Sequence, residues 1–318
     1  MKRSLKCRYL LLLLLIVGLS ALPVTTIGQE STPPGRIAFG RTGDIWVWEN
    51  GESDRLVVDG HASDPRWSPS GQELLYVRTG DSFSDLYLRY LGSGDDVRLT
   101  SNQPQGQIGT LDYANNSVWA ISPAWSPSGL IAYASDYFTP NGIMTLWLIA
   151  DLSSGPFSAL SAQAEGTIDD VTLSSDGGIA GYTVRETDAE GVIHTYVVLR
   201  DLTDGVAYEV ADDPDGVFDP AISPDDQTVA VAIRDGDTTD IWNVERATGA
   251  RHRVTSDANA LAPVWSPDGQ WLAYVRMVDF EFELWAVPVQ IDGFGEPRQL
   301  EQFKDIDAPG GLSWTIEG

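Results

Sequence analysis

The chain has 318 residues, 42% of them hydrophobic, with 31 Gly, 18 Pro and 11 Trp. Acidic residues outnumber basic ones 46 to 20, a formal net charge of −26, which repels nucleic acid and anionic membranes and attracts cations and basic polypeptides. Many glycines and prolines between short apolar runs, without a sustained apolar stripe at helical spacing, exclude a helical bundle and predict an all-β protein.

Along the chain, Lys2, Arg3, Lys6 and Arg8 come first, then an apolar run from Leu10 to Val17, then Gly18, Leu19, Ser20 and Ala21. This order reads as a secretory signal over 1–28, cut after Ala21 or Gly28, and predicts an extracytoplasmic protein: periplasmic, cell-surface or secreted. The alternative is an uncleaved anchor, since Tyr9 to Gly28 is nearly long enough to span a bilayer. Cys7 is the only cysteine, so no disulfide is expected downstream. Taking the four basic residues of 1–28 from the 20 leaves 16 against 46 acids, a net of −30. A short linker occupies 29–35, and one repeating domain fills 36–318.

The domain opens with three strand signals: Arg36 to Phe39, Asp44 to Val47 and Arg55 to Val57. Then a pattern starts that recurs: DPRWSPSG at 64–71, SPAWSPSG at 122–129, DVTLSSDG at 170–177, DPAISPDD at 219–226, APVWSPDG at 262–269, and a short GLSW at 311–314. From Trp67 to Trp314 the large residue returns at intervals of 58, 48, 49, 43 and 49, a period that marks a propeller or solenoid. An apolar strand follows each turn, for example Leu74 to Val77 and Leu272 to Val275. A third strand carries a central aromatic (Tyr87, Trp147, Tyr196, Trp242, Trp285), predicted to be buried. A weaker edge strand closes each unit: Arg98 to Thr100, Ala159-Leu160, Glu209-Val210, Arg253 to Thr255, Gln299-Leu300. The sixth unit lacks these three strands, and the N-terminus supplies them. The prediction is a six-bladed β-propeller sealed by one C-terminal and three N-terminal strands, a closure that removes two open sheet edges.

The Ser-Pro-Asp-Gly element raises the question of a reactive serine. Its recurrence answers it: proline presets φ, Asp bonds the backbone ahead and Gly accepts positive φ, so it reads as the turn between first and second strands. The Trp before it is expected between neighbouring blades. RWSPSGQELLYV, AWSPSGLIAYAS and VWSPDGQWLAYV, each followed by an aromatic strand and an RLT-like edge, resemble the TolB-type propeller repeat over about 36–318. No counterpart of that family's α/β domain precedes the repeats. The resemblance implies an exported, non-enzymatic propeller that binds a protein or an extended peptide.

Catalytic motifs are missing: no Gly-x-Ser-x-Gly elbow, no His-Glu-x-x-His and no phosphate-binding glycine loop. His61, His194 and His252 fall in three different units. Asp235 to Asp240 has the acid density of a calcium loop but not its spacing or closing Glu, so no cofactor is expected. Loops leading into the innermost strands should bring Asp64, Asp170, Asp219 and Asp307 to the channel mouth. Hairpins on the same face should bring Tyr137 and Phe138, and Arg78, Arg185, Arg234 and Arg276 end second strands. These compose a charged, aromatic-rimmed mouth for a neutral to basic polypeptide; the alternative is a set of Arg–Asp pairs that fix loops. The insertion from Ser101 to Ile121, with Tyr113 and Trp119, is expected over that face. The expected function is protein or peptide binding by a monomer that meets membrane only through an uncleaved N-terminus. The competing class is an extracytoplasmic polysaccharide lyase or hydrolase with a carboxylate–histidine site at the channel mouth.

Overall fold

The computed structural model describes residues 32–139, 142–153, 155–159, 166–211, 213–256, 259–301 and 304–317. The expected signal or anchor over 1–28 lies outside the described residues.

The second strands explain the architecture. In Glu73–Thr79, Leu74, Leu75, Tyr76 and Val77 are all buried, and in Trp271–Val278 the first five residues are. A strand apolar on both sides has to be covered on both sides. Edge strands are the opposite: Asp96–Arg98 and Arg251–Arg253 are wholly exposed. Each sheet therefore buries its two faces against two neighbours and turns its last strand outward.

Six antiparallel sheets result among the described residues, five with four strands and one with five. Their innermost strands are Ala62–Trp67, Ala120–Trp125, Thr167–Leu173, Val217–Ile222, Ala260–Trp265 and Leu312–Thr315, heading blades one to six. Six apolar layers lie between the blades. Leu75 and Leu86 of blade one pack with Tyr133 and Trp147 of blade two; Leu146 of blade two packs with Tyr182 of blade three. Leu199 meets Val229, and Ile241 meets Leu272 and Tyr274. Trp271 and Leu284 of blade five meet Ile37, Trp48 and Trp314 of blade six, and Ile45 of blade six meets Leu74 and Tyr76 of blade one. The last two layers close the ring.

The seam pairs Leu312–Thr315 with Arg36–Arg41 antiparallel, Ile37 opposite Trp314. Around it, Trp314 Nε1 donates to the Pro34 carbonyl at 2.8 Å and Arg36 Nη2 donates to the carbonyls of Gly71 and Glu317, both at 2.7 Å. Trp48, 1% exposed, donates from Nε1 to the Leu300 carbonyl of blade five at 2.9 Å.

Three expectations need correction. Trp242 is only half-buried; the buried apolar residues of its strand are Ile241 and Val244, while the Trp242 ring lies 5.6 Å from the Arg253 guanidinium. Trp147 is buried, whereas Tyr87, Tyr196 and Trp285 are half-buried too, because the third strand is the last one that neighbouring blades cover and cover only in part. Edge strands lie two residues earlier than expected in blades one, two and four, at Asp96–Arg98, Phe157–Ser158 and Arg251–Arg253. The insertion of blade two is folded: Thr110 caps the helix Leu111–Asn115, Tyr113 is 2% exposed, and the Trp119 N–H donates to Asp136 Oδ1 at 2.7 Å.

The central channel as candidate functional site

A recurrent bulge shapes the channel. Pro65, Pro123, Pro220 and Pro263 stand inside innermost strands, where a missing N–H interrupts the ladder. A one-residue bulge stands at this place in five blades, in blade three with Val171 where the others have proline: register slips between Ser63 and Arg66, Ile121 and Ala124, Asp169 and Thr172, Phe218 and Ala221, and Leu261 and Val264. At each bulge one residue takes positive φ: Asp64 (51°), Ser122 (48°), Asp170 (49°), Asp219 (54°) and Ala262 (50°), with Gly311 (63°) at the matching place in blade six. Asp tolerates this region better than most side chains.

The bulged residues are laced around the axis. Ser122 Oγ donates to Asp169 Oδ1, which also accepts the Asp170 N–H at 2.9 Å. Thr183 Oγ1 donates to Asp170 Oδ2 at 2.8 Å and accepts the Asp219 N–H at 3.2 Å. Asp219 Oδ2 in turn accepts the Ala262 N–H at 2.9 Å. One network thus links blades two to five. On the other side Ser63 Oγ donates to Asp64 Oδ2 at 2.6 Å. Burial pushes the Asp64 carboxyl up to about 6, against the opposing charge of Arg66. Burial also raises Asp170 and Asp219, and their mutual proximity raises Asp170 further.

A cavity of about 480 Å³ adjoins this ring and is lined by all six innermost strands. Asp170, Asp219 and Arg66 lie on its inner wall. Trp67, Trp125, Leu173, Ile222, Trp265 and Trp314 form the next tier, followed by Pro127, Pro224 and Pro267 of the first turns. Trp265 also spans two blades, its Nε1 donating to the Ala221 carbonyl of blade four at 3.1 Å. The turns themselves repeat one structure. In the last copy, buried Ser266 Oγ donates to Asp268 Oδ1 at 2.6 Å and accepts the Trp271 N–H at 2.9 Å, while Gly269 N–H closes on the Ser266 carbonyl at 2.8 Å. The same ring closes at Ser68, Ser126, Ser174 and Ser223. Serine here is turn structure.

Of the residues marked by sequence, Asp170 and Asp219 line the cavity, and Asp64 does not. Asp307 precedes the turn Ala308–Gly310, its N–H bonded to the Gly40 carbonyl at 2.8 Å, and does not line the cavity. The arginines pack within their own blades, or against the connector into it, instead. Arg78 pairs with Asp59 at 3.0 Å and lies 5.5 Å from the Tyr87 ring; Arg185 lies 3.7 Å from Asp169. Arg234 lies 5.6 Å from the Phe218 ring and Arg276 4.8 Å from the Trp285 ring. Tyr137 rests on Phe138 at 4.1 Å, and Phe138 is 86% exposed at the tip of its hairpin. The cavity thus extends toward the first-turn face, away from these hairpins.

Arg66 is the channel residue that no motif marks. Its signal is a column of the repeat: where it stands, the other units carry Ala124, Thr172, Ala221, Val264 and Ser313. Among the described residues no group of three or more His, Cys, Asp or Glu is arranged to hold a metal ion, and no histidine lines the cavity. His194 pairs with Asp188 at 2.9 Å, and His252 lies 3.8 Å from Glu245. Residues 235–240 fold as a tight hairpin, Asp235 opposite Thr238, with Asp240 turned to Arg253 and Thr255.

No family model matches the sequence. Solved structures share the fold. TolB from Acinetobacter baumannii is 17% identical, with a TM-score of 0.68 over 88% of this chain and 66% of that one. TolB from Agrobacterium tumefaciens is 18% identical, with a TM-score of 0.61 over 86% and 90%. A chain of a nidogen/laminin complex is 10% identical, with a TM-score of 0.61 over 87% and 97%. At these identities the likeness is one of fold: the chain has the six-bladed propeller of the TolB structures.

Proposed function

We propose that the protein is an exported binding module whose channel takes an extended, neutral to basic segment of a partner polypeptide. The observation that carries this reading is the cavity shared by all six innermost strands, lined by the half-buried carboxyl groups of Asp170 and Asp219 and by a tier of Trp and Pro. Carboxyl oxygens accept from backbone N–H or ammonium donors, and aromatic and proline surfaces take apolar side chains. The net charge of the chain steers basic partners toward it. The resemblance to the TolB-type repeat supports both export and polypeptide binding, and a propeller of this fold belongs to a nidogen/laminin complex.

Replacing Asp64, Asp170 and Asp219 by Asn together tests this on a polypeptide captured from an extracellular extract. Asn keeps the shape and tolerates positive φ. Affinity and its dependence on salt should both fall, since screening weakens only charged attraction, while the thermal unfolding transition remains cooperative. Unchanged binding by the folded variant would move the site off the channel.

A further inference from the structure

The channel wall holds one cation among its acids, and that cation is only partly used. Arg66 Nη1 donates to the Pro65 carbonyl at 2.7 Å and the Gly310 carbonyl at 3.3 Å. Nε and Nη2 have no hydrogen-bond partner, and no carboxylate lies within ion-pair distance of the guanidinium, among the described residues. The charge is nonetheless costly where it is: burial pulls the Arg66 guanidinium below its ordinary range, and Asp64 and Asp170 offset this only through their field. Blade six makes room for it, since a Cβ on Gly311 would come within 3.1 Å of Nη2. A guanidinium that faces a cavity with a free edge presents a flat pair of donors, the geometry that a carboxylate meets with two parallel hydrogen bonds.

We infer that Arg66 is a carboxylate-recognition residue: the segment bound in the channel places a carboxylate on the free edge of its guanidinium, with the C-terminus as the source. This inference rests on the channel reading above and sharpens it. A C-terminal carboxylate lets an otherwise neutral or basic segment enter an acidic protein end-first, its N–H groups meeting Asp170 and Asp219 and its side chains the Trp tier. A side-chain carboxylate offers the same two oxygens, so the test separates the two sources.

Three pools of randomised octapeptides without Asp or Glu serve as probes. One pool ends in a free carboxylate, one in an amide, and one in an amide with a single Asp added at a random position. Capture by the wild-type protein, Arg66→Gln and Arg66→Lys is read by mass spectrometry at pH 7 and pH 5. Wild type should enrich the free-acid pool over the amide pool at least about tenfold, the least that a charge-assisted hydrogen bond supplies. The preference should grow at pH 5, where Asp64 loses its competing charge. Arg66→Gln should still capture peptides and lose the preference; Arg66→Lys, with the charge but not the fork, should retain only part of it. Enrichment of the Asp pool alone would reassign the source to a side chain and overturn the C-terminal assignment. Capture of all pools alike by wild type overturns the inference and leaves the channel reading standing. Capture of none overturns both.

Discussion

Deleting residues 313–318 lowers the melting temperature by about 10 °C or more. The segment is short, yet it ends the ring. Ser313, Trp314 and Thr315 are buried and pair with Arg36 to Ala38. Trp314 packs in the layer that joins blades five and six, and Ser313 Oγ accepts the Trp67 N–H of blade one at 2.8 Å. Loss of one buried Trp costs about 3–5 kcal/mol, and each kcal/mol shifts the transition of a chain this size by roughly 2–4 °C. The deletion also bares the edge of Arg36–Arg41, an open template for pairing with other chains. Differential scanning calorimetry, with light scattering for association, checks both effects. An unchanged melting temperature would mean that the ring is not sealed at this seam.

The channel acids set a second large effect. Asp64 binds its proton up to about pH 6 in the folded protein, whereas the unfolded chain releases it near 3.8. Between those values the folded state holds more protons, so stability falls as pH rises. The contribution is fully present below the unfolded value and gone above the folded one. Two pKa units correspond to about 3 kcal/mol at one site. In urea titrations at pH 4 and pH 7.5, wild type should lose about 2 kcal/mol more between the two than Asp64→Asn, because at pH 4 the unfolded chain has already released part of its protons. The comparison cancels the contributions of other groups, including Asp44, whose bonds to the Asp59 and Gly60 N–H groups and to Arg55 shift it the opposite way. Equal losses in the two proteins would show that the bulge leaves Asp64 in ordinary contact with water.

The ring is legible in the sequence because each blade repeats the same burial problem: an apolar second strand covered twice, then progressively less cover outward. The seam is legible for the same reason, as the first three strands fit what GLSW lacks. The site is legible only in part. The Asp residues stand out by position, but the bulges they sit on are only partly written in the sequence: a proline follows in four units, at Pro65, Pro123, Pro220 and Pro263, whereas blade three makes the same bulge with Val171. Arg66 carries no motif and emerges only when the six units are compared column by column. Trp242 misleads because an aromatic between Ile241 and Val244 sits on a strand whose faces are unequally covered. The edge strands slip because three-residue exposed ladders have no apolar pattern to fix their bounds.

The channel claim meets its most direct test in photo-crosslinking. A benzoylphenylalanine at Leu173, on the cavity wall, is compared with one at Tyr208, on the exposed edge strand of the same blade. Both proteins are irradiated with the polypeptide captured by wild type, and the joined residues are mapped by mass spectrometry. The channel account predicts crosslinks from position 173 to one short segment of the partner, and none from position 208. Crosslinks from position 208 with none from position 173 would place the partner on the outer rim of the propeller and contradict it.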